Sequence, residues 1–237
     1  MRLIPVALAA TLALAACSPA SDANEDPTPS PTDAAVVIDE RPLEDQLIEA
    51  VRAVDIPRTE ALLGAGADPN TDIGAGLTAL HSAVATESPA LVQALLDGGA
   101  ETDAQTDSGE TPLVRACLSD DLETIEVLLA AGADHAATGN DTFGSTCLHL
   151  AARYGHNDVL RALIAAGADV NQPNAVFGAT PLSTAAFYGN VEALQILFAS
   201  GADLDARSDD GTTALGWARA EGQVAAIEYL ESLQAEE

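Results

Sequence analysis

Three residue types in this chain could carry chemistry: four histidines, three cysteines and 37 carboxylates. A zinc site usually draws on close pairs, two His at i, i+4 or Cys-x-x-Cys. His81, His135, His149 and His156 form no such pair with one another or with a cysteine, so neither a metal site nor a cofactor is expected. Paired carboxylates can do acid–base work, but they are too common here for proximity to single any out. No Gly-x-Ser-x-Gly, phosphate loop or Gly-x-Gly-x-x-Gly follows a predicted strand, and no catalytic residues emerge. The expectation is a protein that is not an enzyme. Cys117 and Cys147 could pair in an oxidising compartment. Cys17 stands apart from both.

Cys17 ends an apolar stretch, Leu3 to Ala16, preceded by Arg2. That is the composition of a secretory signal, and about a dozen apolar residues are too few for a spanning helix, which needs roughly 20. Leu14-Ala15-Ala16-Cys17 resembles a bacterial lipobox. The resemblance implies cleavage after residue 16, a lipid on Cys17 and a location in the bacterial cell envelope, facing the periplasm. Ser18, in place of Asp, slightly favours the outer membrane. Residues 17–42 are rich in Pro, Ser, Thr, Asp and Ala and lack aliphatic periodicity, which reads as a disordered tether. As a coil it would span on the order of 25 to 30 Å.

The formal net charge is -28, and all nine basic residues are arginine. Phosphate binding needs a basic face, so nucleic acid is excluded as a partner, and an anionic membrane surface would repel the chain. A basic protein partner fits this charge, as does plain solubility.

The elements that position these residues follow from a repeat. Thr78, Thr111, Thr146, Thr180 and Thr213 each have Leu two residues on and Ala five residues on, at intervals of 33, 35, 34 and 33. Gly66, Gly99, Gly132, Gly167 and Gly201 each open Gly-Ala-Asp or Gly-Ala-Glu, at intervals of 33, 33, 35 and 34. In the copy beginning at Gly144, Thr146 is a natural N-cap, and small Ala151 and Ala152 admit a close neighbour. Gly155 ends a first helix. Val159, Leu160, Leu163 and Ile164 then recur at helical spacing on a second, which Gly167 closes.

Thr111-Pro112-Leu113, Thr180-Pro181-Leu182, Leu80-His81, Leu148-His149 and Gly167-Ala-Asp-Val-Asn171 resemble the ankyrin repeat, over residues 43 to 233. The resemblance implies an all-α solenoid of stacked helix-turn-helix units with β-hairpin-like finger loops. About six repeats fill 43–237. The first lacks the Thr-x-Leu entry and the last lacks the Gly-Ala-Asp loop, as capping repeats should. Glu87 and Asp120 stand where other units have the helix-ending glycine, so looser turns are expected there. In this family the signature histidine bonds neighbouring backbone, which is the role implied for His81 and His149. The repeat positions of Cys117 and Cys147 differ, and by analogy with the family they stand too far apart for a disulfide, so two reduced, partly buried cysteines are expected.

Ankyrin partners usually meet the finger tips and the exposed face of the first helices, on the concave side. In units four and five those positions carry Phe143, Arg153, Tyr154, Phe177, Phe187 and Tyr188, whereas elsewhere they are small or acidic, as at Asp107, Glu110, Asp209, Asp210 and Glu221. Five of the chain's eight aromatics fall there, and exposed aromatics beside arginine are the residues that dominate interface hot spots. Phe198, Trp217 and Tyr229 fall at or near core positions. The longer intervals put extra residues into the loops of Phe143 and Phe177, where solenoid insertions often serve binding. The alternatives for the patch are packing of the rings on one another and a small apolar ligand. The expectation for the whole is a membrane-tethered protein-interaction module, an adaptor or scaffold, with no small-molecule substrate. A periplasmic inhibitor or immunity protein against a basic toxin or enzyme, and a stress-protection protein without a single tight partner, are the alternatives.

Overall fold

The computed structural model describes residues 38–139 and 141–234. Cys17, the signal-like stretch and most of the tether-like stretch lie outside them. Twelve helices follow one another among the described residues. The first helices of the pairs are α1 (Leu43–Arg52), α3 (Ala79–Val84), α5 (Pro112–Ala116), α7 (Cys147–Tyr154), α9 (Pro181–Tyr188) and α11 (Ala214–Ala220). The second helices are α2 (Ile56–Gly64), α4 (Pro89–Asp97), α6 (Leu122–Ala130), α8 (Asn157–Ala165), α10 (Val191–Ala199) and α12 (Val224–Gln234). Each pair packs internally, and first helix packs on first helix along the stack, as α3 does on α1 and α5, and α9 on α7 and α11. The protein is an all-α solenoid.

The repeated threonine starts the first helices. Thr111, Thr180 and Thr213 each accept a bond from the backbone N–H three residues on, satisfying a donor that a helix start leaves orphaned. Pro112 and Pro181 follow two of these caps, where a fixed φ costs nothing and no N–H is needed. Alanine lets the first helices approach: Ala83, Ala116, Ala151, Ala185 and Ala218 are all fully buried. Leucines such as Leu62, Leu95, Leu128, Leu163 and Leu197 fill the seam between first and second helices.

The finger loops pair backbone to backbone. Asp107 donates its N–H to the Ala75 carbonyl at 2.9 Å, and Val176 and Asp209 donate theirs to the Phe143 and Phe177 carbonyls at 3.2 and 2.9 Å. Finger four, the longest, closes on itself through an antiparallel bridge between Thr138 and Thr146. Gly144 at its end has φ 61°, and a Cβ there would come within 2.7 Å of the Ala175 Cβ, so only glycine lets fingers four and five meet.

Two histidines tie repeats together. His149 Nδ1 accepts the Thr146 N–H at 3.3 Å, which leaves Nε2–H to donate to the Ala179 carbonyl of the next repeat at 2.9 Å. His81 does the same between Thr78 and the Glu110 carbonyl. Acceptance at Nδ1 needs the neutral ring, and burial pushes His149 down to about 4 and His81 below its ordinary value.

Two expectations are corrected. Cys117 and Cys147 are joined in a disulfide with a Cα separation of 5.6 Å, and both are fully buried. Cys117 caps the end of the five-residue α5 and Cys147 opens α7. Two Cα atoms this close on neighbouring elements must lie at nearly one height, so the stagger of repeats three and four offsets the roughly 7.5 Å rise between these repeat positions. The turns at Glu87 and Asp120 are not looser either. With φ of 52° and 58° they adopt the left-handed form of Gly155 and Gly189, both at 74°, because the packed helices on either side dictate the turn.

Three outcomes are expected. Cys117→Ala with Cys147→Ala should lower the free energy of unfolding by about 2–4 kcal/mol, read from urea curves with and without reductant. An unchanged midpoint would refute the covalent tie. Glu87→Gly should stabilise by about 0.5–1 kcal/mol through relief of left-handed strain. Asp120→Gly should gain less, since it also loses the 3.2 Å pair with His156. For His149 the native value of about 4 lies below the ordinary 6.5, so its contribution is complete above pH 6.5 and is lost as pH falls toward 4. The gap is worth roughly 3 kcal/mol. His149→Gln should therefore lose less stability than the parent between pH 7 and pH 4.5, carboxylate protonation being common to both.

Candidate interaction site on repeats four to six

The expected site residues sit on two kinds of element. Arg153 and Tyr154 occupy the last turn of α7, and Phe187 and Tyr188 the last turn of α9. Phe143 and Phe177 lie in fingers four and five. The following repeat holds those last turns: Asn190 Nδ2 donates to the Ala152 and Arg153 carbonyls at 2.8 Å each, and Gln223 Nε2 donates to the Phe187 carbonyl at 3.0 Å. Gly189 makes room for Gln223, since a Cβ at residue 189 would collide with that side chain.

Stacking brings the six residues together. Phe143 and Phe177 have ring centroids 5.8 Å apart, and Phe187 lies 4.9 Å from Tyr188. The Arg153 guanidinium sits 5.4, 5.2 and 5.1 Å from the rings of Phe143, Tyr154 and Tyr188. Such contacts contribute about 0.5–1 kcal/mol at exposed sites. Phe143, Arg153, Phe177, Phe187 and Tyr188 line a hollow of about 200 Å³ on the finger and first-helix side of the stack. Tyr154 stands at its rim, against Arg153 and 5.6 Å from the His156 ring.

Exposure is less uniform than the sequence suggests. Tyr154, Phe177 and Tyr188 are 48, 46 and 36% exposed, whereas Phe143, Arg153 and Phe187 are half-buried. The rings do pack on one another, yet they leave an open hollow between them.

Trp217 corrects the reading of the remaining aromatics. It lines the hollow, 5.6 Å from the Phe187 ring, with Nε1–H donated to Ser208 Oγ at 3.0 Å. Its place four residues after Thr213 was the available signal, because positions four, seven and eight share one helical face. Phe198 is also no core residue: it is 38% exposed, on second helix α10.

The polar atoms of the lining are largely spent within the fold. Asn174 Oδ1 accepts from the Phe177 and Ala179 N–H groups, Thr184 Oγ1 donates to the Thr180 carbonyl and Ser145 Oγ to Asp141. Arg153 differs: its Nε is buried without a partner, and it enters no ion pair among the described residues. Of the acidic finger residues, Glu110 is engaged by Arg115 at 2.9 Å, while Asp107, Asp209, Asp210 and Glu221 are exposed. Among the described residues no three metal-capable side chains cluster, and no helix is long and apolar enough to cross a membrane.

Solved structures share this architecture. The ankyrin repeat domain of Bcl-3, described as a unique member of the IκB protein family, is 27% identical with a TM-score of 0.73, over 79% of this chain and 85% of that one. A chain of the complex of the predatory endopeptidase Bd0816 from Bdellovibrio bacteriovorus with immunity protein Bd3460 is 26% identical with a TM-score of 0.71, over 79% and 97%. The ankyrin repeat protein EF0377, at 24% identity and a TM-score of 0.72 over 80% and 97%, shares the fold. No curated protein sequence matches the chain. The family pattern of ankyrin repeats in three copies matches residues 47–139 and 148–236. With the capped helix pairs, the paired fingers and the histidine ties, that match makes this chain a member of the ankyrin-repeat family.

Proposed function

We propose that this protein is a membrane-tethered interaction module of the bacterial envelope, an adaptor or scaffold facing the periplasm, which binds another protein through the concave face of repeats four and five. Ankyrin repeats are a protein-interaction scaffold, and the membership favours binding over catalysis. The observation that carries the reading is the gathering of five of eight aromatics, with Arg153, around one hollow. Exposed rings left idle would be an aggregation liability. The lipobox-like Leu14 to Cys17 supports a lipid anchor on Cys17, with residues 17–42 as tether and an outer-membrane address slightly favoured. The buried disulfide suits an oxidising compartment.

A second reading, an inhibitor or immunity protein against a basic toxin or enzyme, is favoured by one comparison: the Bdellovibrio structure pairs an endopeptidase with an immunity protein. The exposed Asp107, Asp209, Asp210 and Glu221 would meet a basic surface and speed its approach.

Crosslinking in intact cells followed by affinity purification tests both readings. The parent is compared with Tyr154→Ala, Phe177→Ala, Tyr188→Ala, three exposed rings whose removal should leave the circular dichroism spectrum unchanged. One protein should be retained by the parent and lost from the variant, with affinity down about 30-fold or more for a hot spot worth about 2 kcal/mol. Equal retention would remove the site from the proposal. A secreted hydrolase as the captured protein would select the inhibitor reading. Cys17→Ser should shift the protein out of the membrane fraction, and continued membrane attachment would refute the lipid anchor.

A further inference from the structure

Resting on the reading of this hollow as a protein-binding site, we propose that it takes the C-terminal residue of its partner, a large apolar side chain whose own α-carboxylate is held by Arg153. The hollow offers two chemistries. Phe143, Phe177, Phe187, Tyr188 and Trp217 give it apolar walls, and its hydrogen-bonded lining atoms already have partners within the fold. Arg153 is the one charged residue of the lining. Its guanidinium is stacked among rings rather than paired with a carboxylate, although the chain has 37 acidic residues, and its buried Nε lacks a partner. Arginine suits carboxylate recognition because its planar fork can give two parallel bonds.

Size and spacing select the occupant. A volume of about 200 Å³ lies below the roughly 300–1,000 Å³ of sites for drug-sized ligands and suits one large side chain. The guanidinium is 5.4 and 5.1 Å from the centroids of Phe143 and Tyr188, rings that also wall the hollow, so a single residue that carries both an anion and an apolar group meets both features. A C-terminal Phe, Trp or Leu carries both. An internal Asp or Glu next to an apolar residue in an extended strand points to the opposite face. The exposed acidic groups Asp209 and Asp210 on the neighbouring finger disfavour any second negative charge upstream, so the preceding residues of the partner should be neutral or basic.

Fluorescence polarisation with the full chain tests this, using a labelled Gly-Lys-Gly-Lys-Phe peptide with a free C-terminal carboxylate, its C-terminal amide, and a twin carrying Phe-Gly-Asp internally and ending in an amide. The free acid should bind about 10- to 100-fold tighter than either amide, the range for a charge-assisted bond. Arg153→Gln should abolish the difference, Arg153→Lys should restore part of it, and Trp217→Ala should weaken all three peptides, with folding verified by circular dichroism. Equal binding of acid and amide, tighter binding of the internal-acid twin, or no binding by any peptide would overturn the proposal. The cellular capture experiment reads separately: a partner lost on removal of the exposed rings but retained by Arg153→Gln would sink the carboxylate assignment while leaving the binding surface standing.

Discussion

No repeat of this chain can bury its apolar side alone. A single helix pair leaves Leu, Val and Ala on both flanks in water, so stability comes from the interface each pair makes with the next. The repeat stack is therefore a chain of nearest-neighbour contacts, with fully buried alanines where first helices touch and leucines in the seam. Positions in different repeats are set relative to one another only by that stacking.

Polar ties act across the same interfaces. His81 and His149 reach the following repeat's carbonyls, and Asn70 and Asn171 bond the Gly99 and Gly201 carbonyls one repeat on while accepting the N–H of Glu101 and Asp203. Each leaves a buried or half-buried polar group satisfied by its neighbour rather than by water. The disulfide of Cys117 and Cys147 adds a covalent tie between repeat three and repeat four, the first of the repeats that carry the aromatic hollow. Repeat five is then held from the far side by repeat six, through Gln223 on the Phe187 carbonyl and Trp217 against the Phe187 ring.

That arrangement explains how a shallow solenoid face acquires a defined hollow. Finger four is two residues longer than most and finger five one residue longer, and Phe143 and Phe177 on these fingers share the lining of the hollow with Arg153 of α7 and with Phe187 and Tyr188 of α9. Arg153 fills the space between three rings and keeps its charge clear of carboxylates.

The repeat period, the family resemblance, the helix starts at threonine and the candidate positions of the patch were legible in the sequence, because each of these is a local pattern of capping, periodicity or repeat position. The stacking of the repeats sets the rest: Cys117 and Cys147 meet, Glu87 and Asp120 are forced into a glycine-like turn, Phe143 and Phe187 are half-buried, and Trp217 belongs to the hollow. Those facts depend on the stagger and approach of adjacent repeats. Stagger arises from side chains some 30 residues apart in sequence, and no local pattern records it.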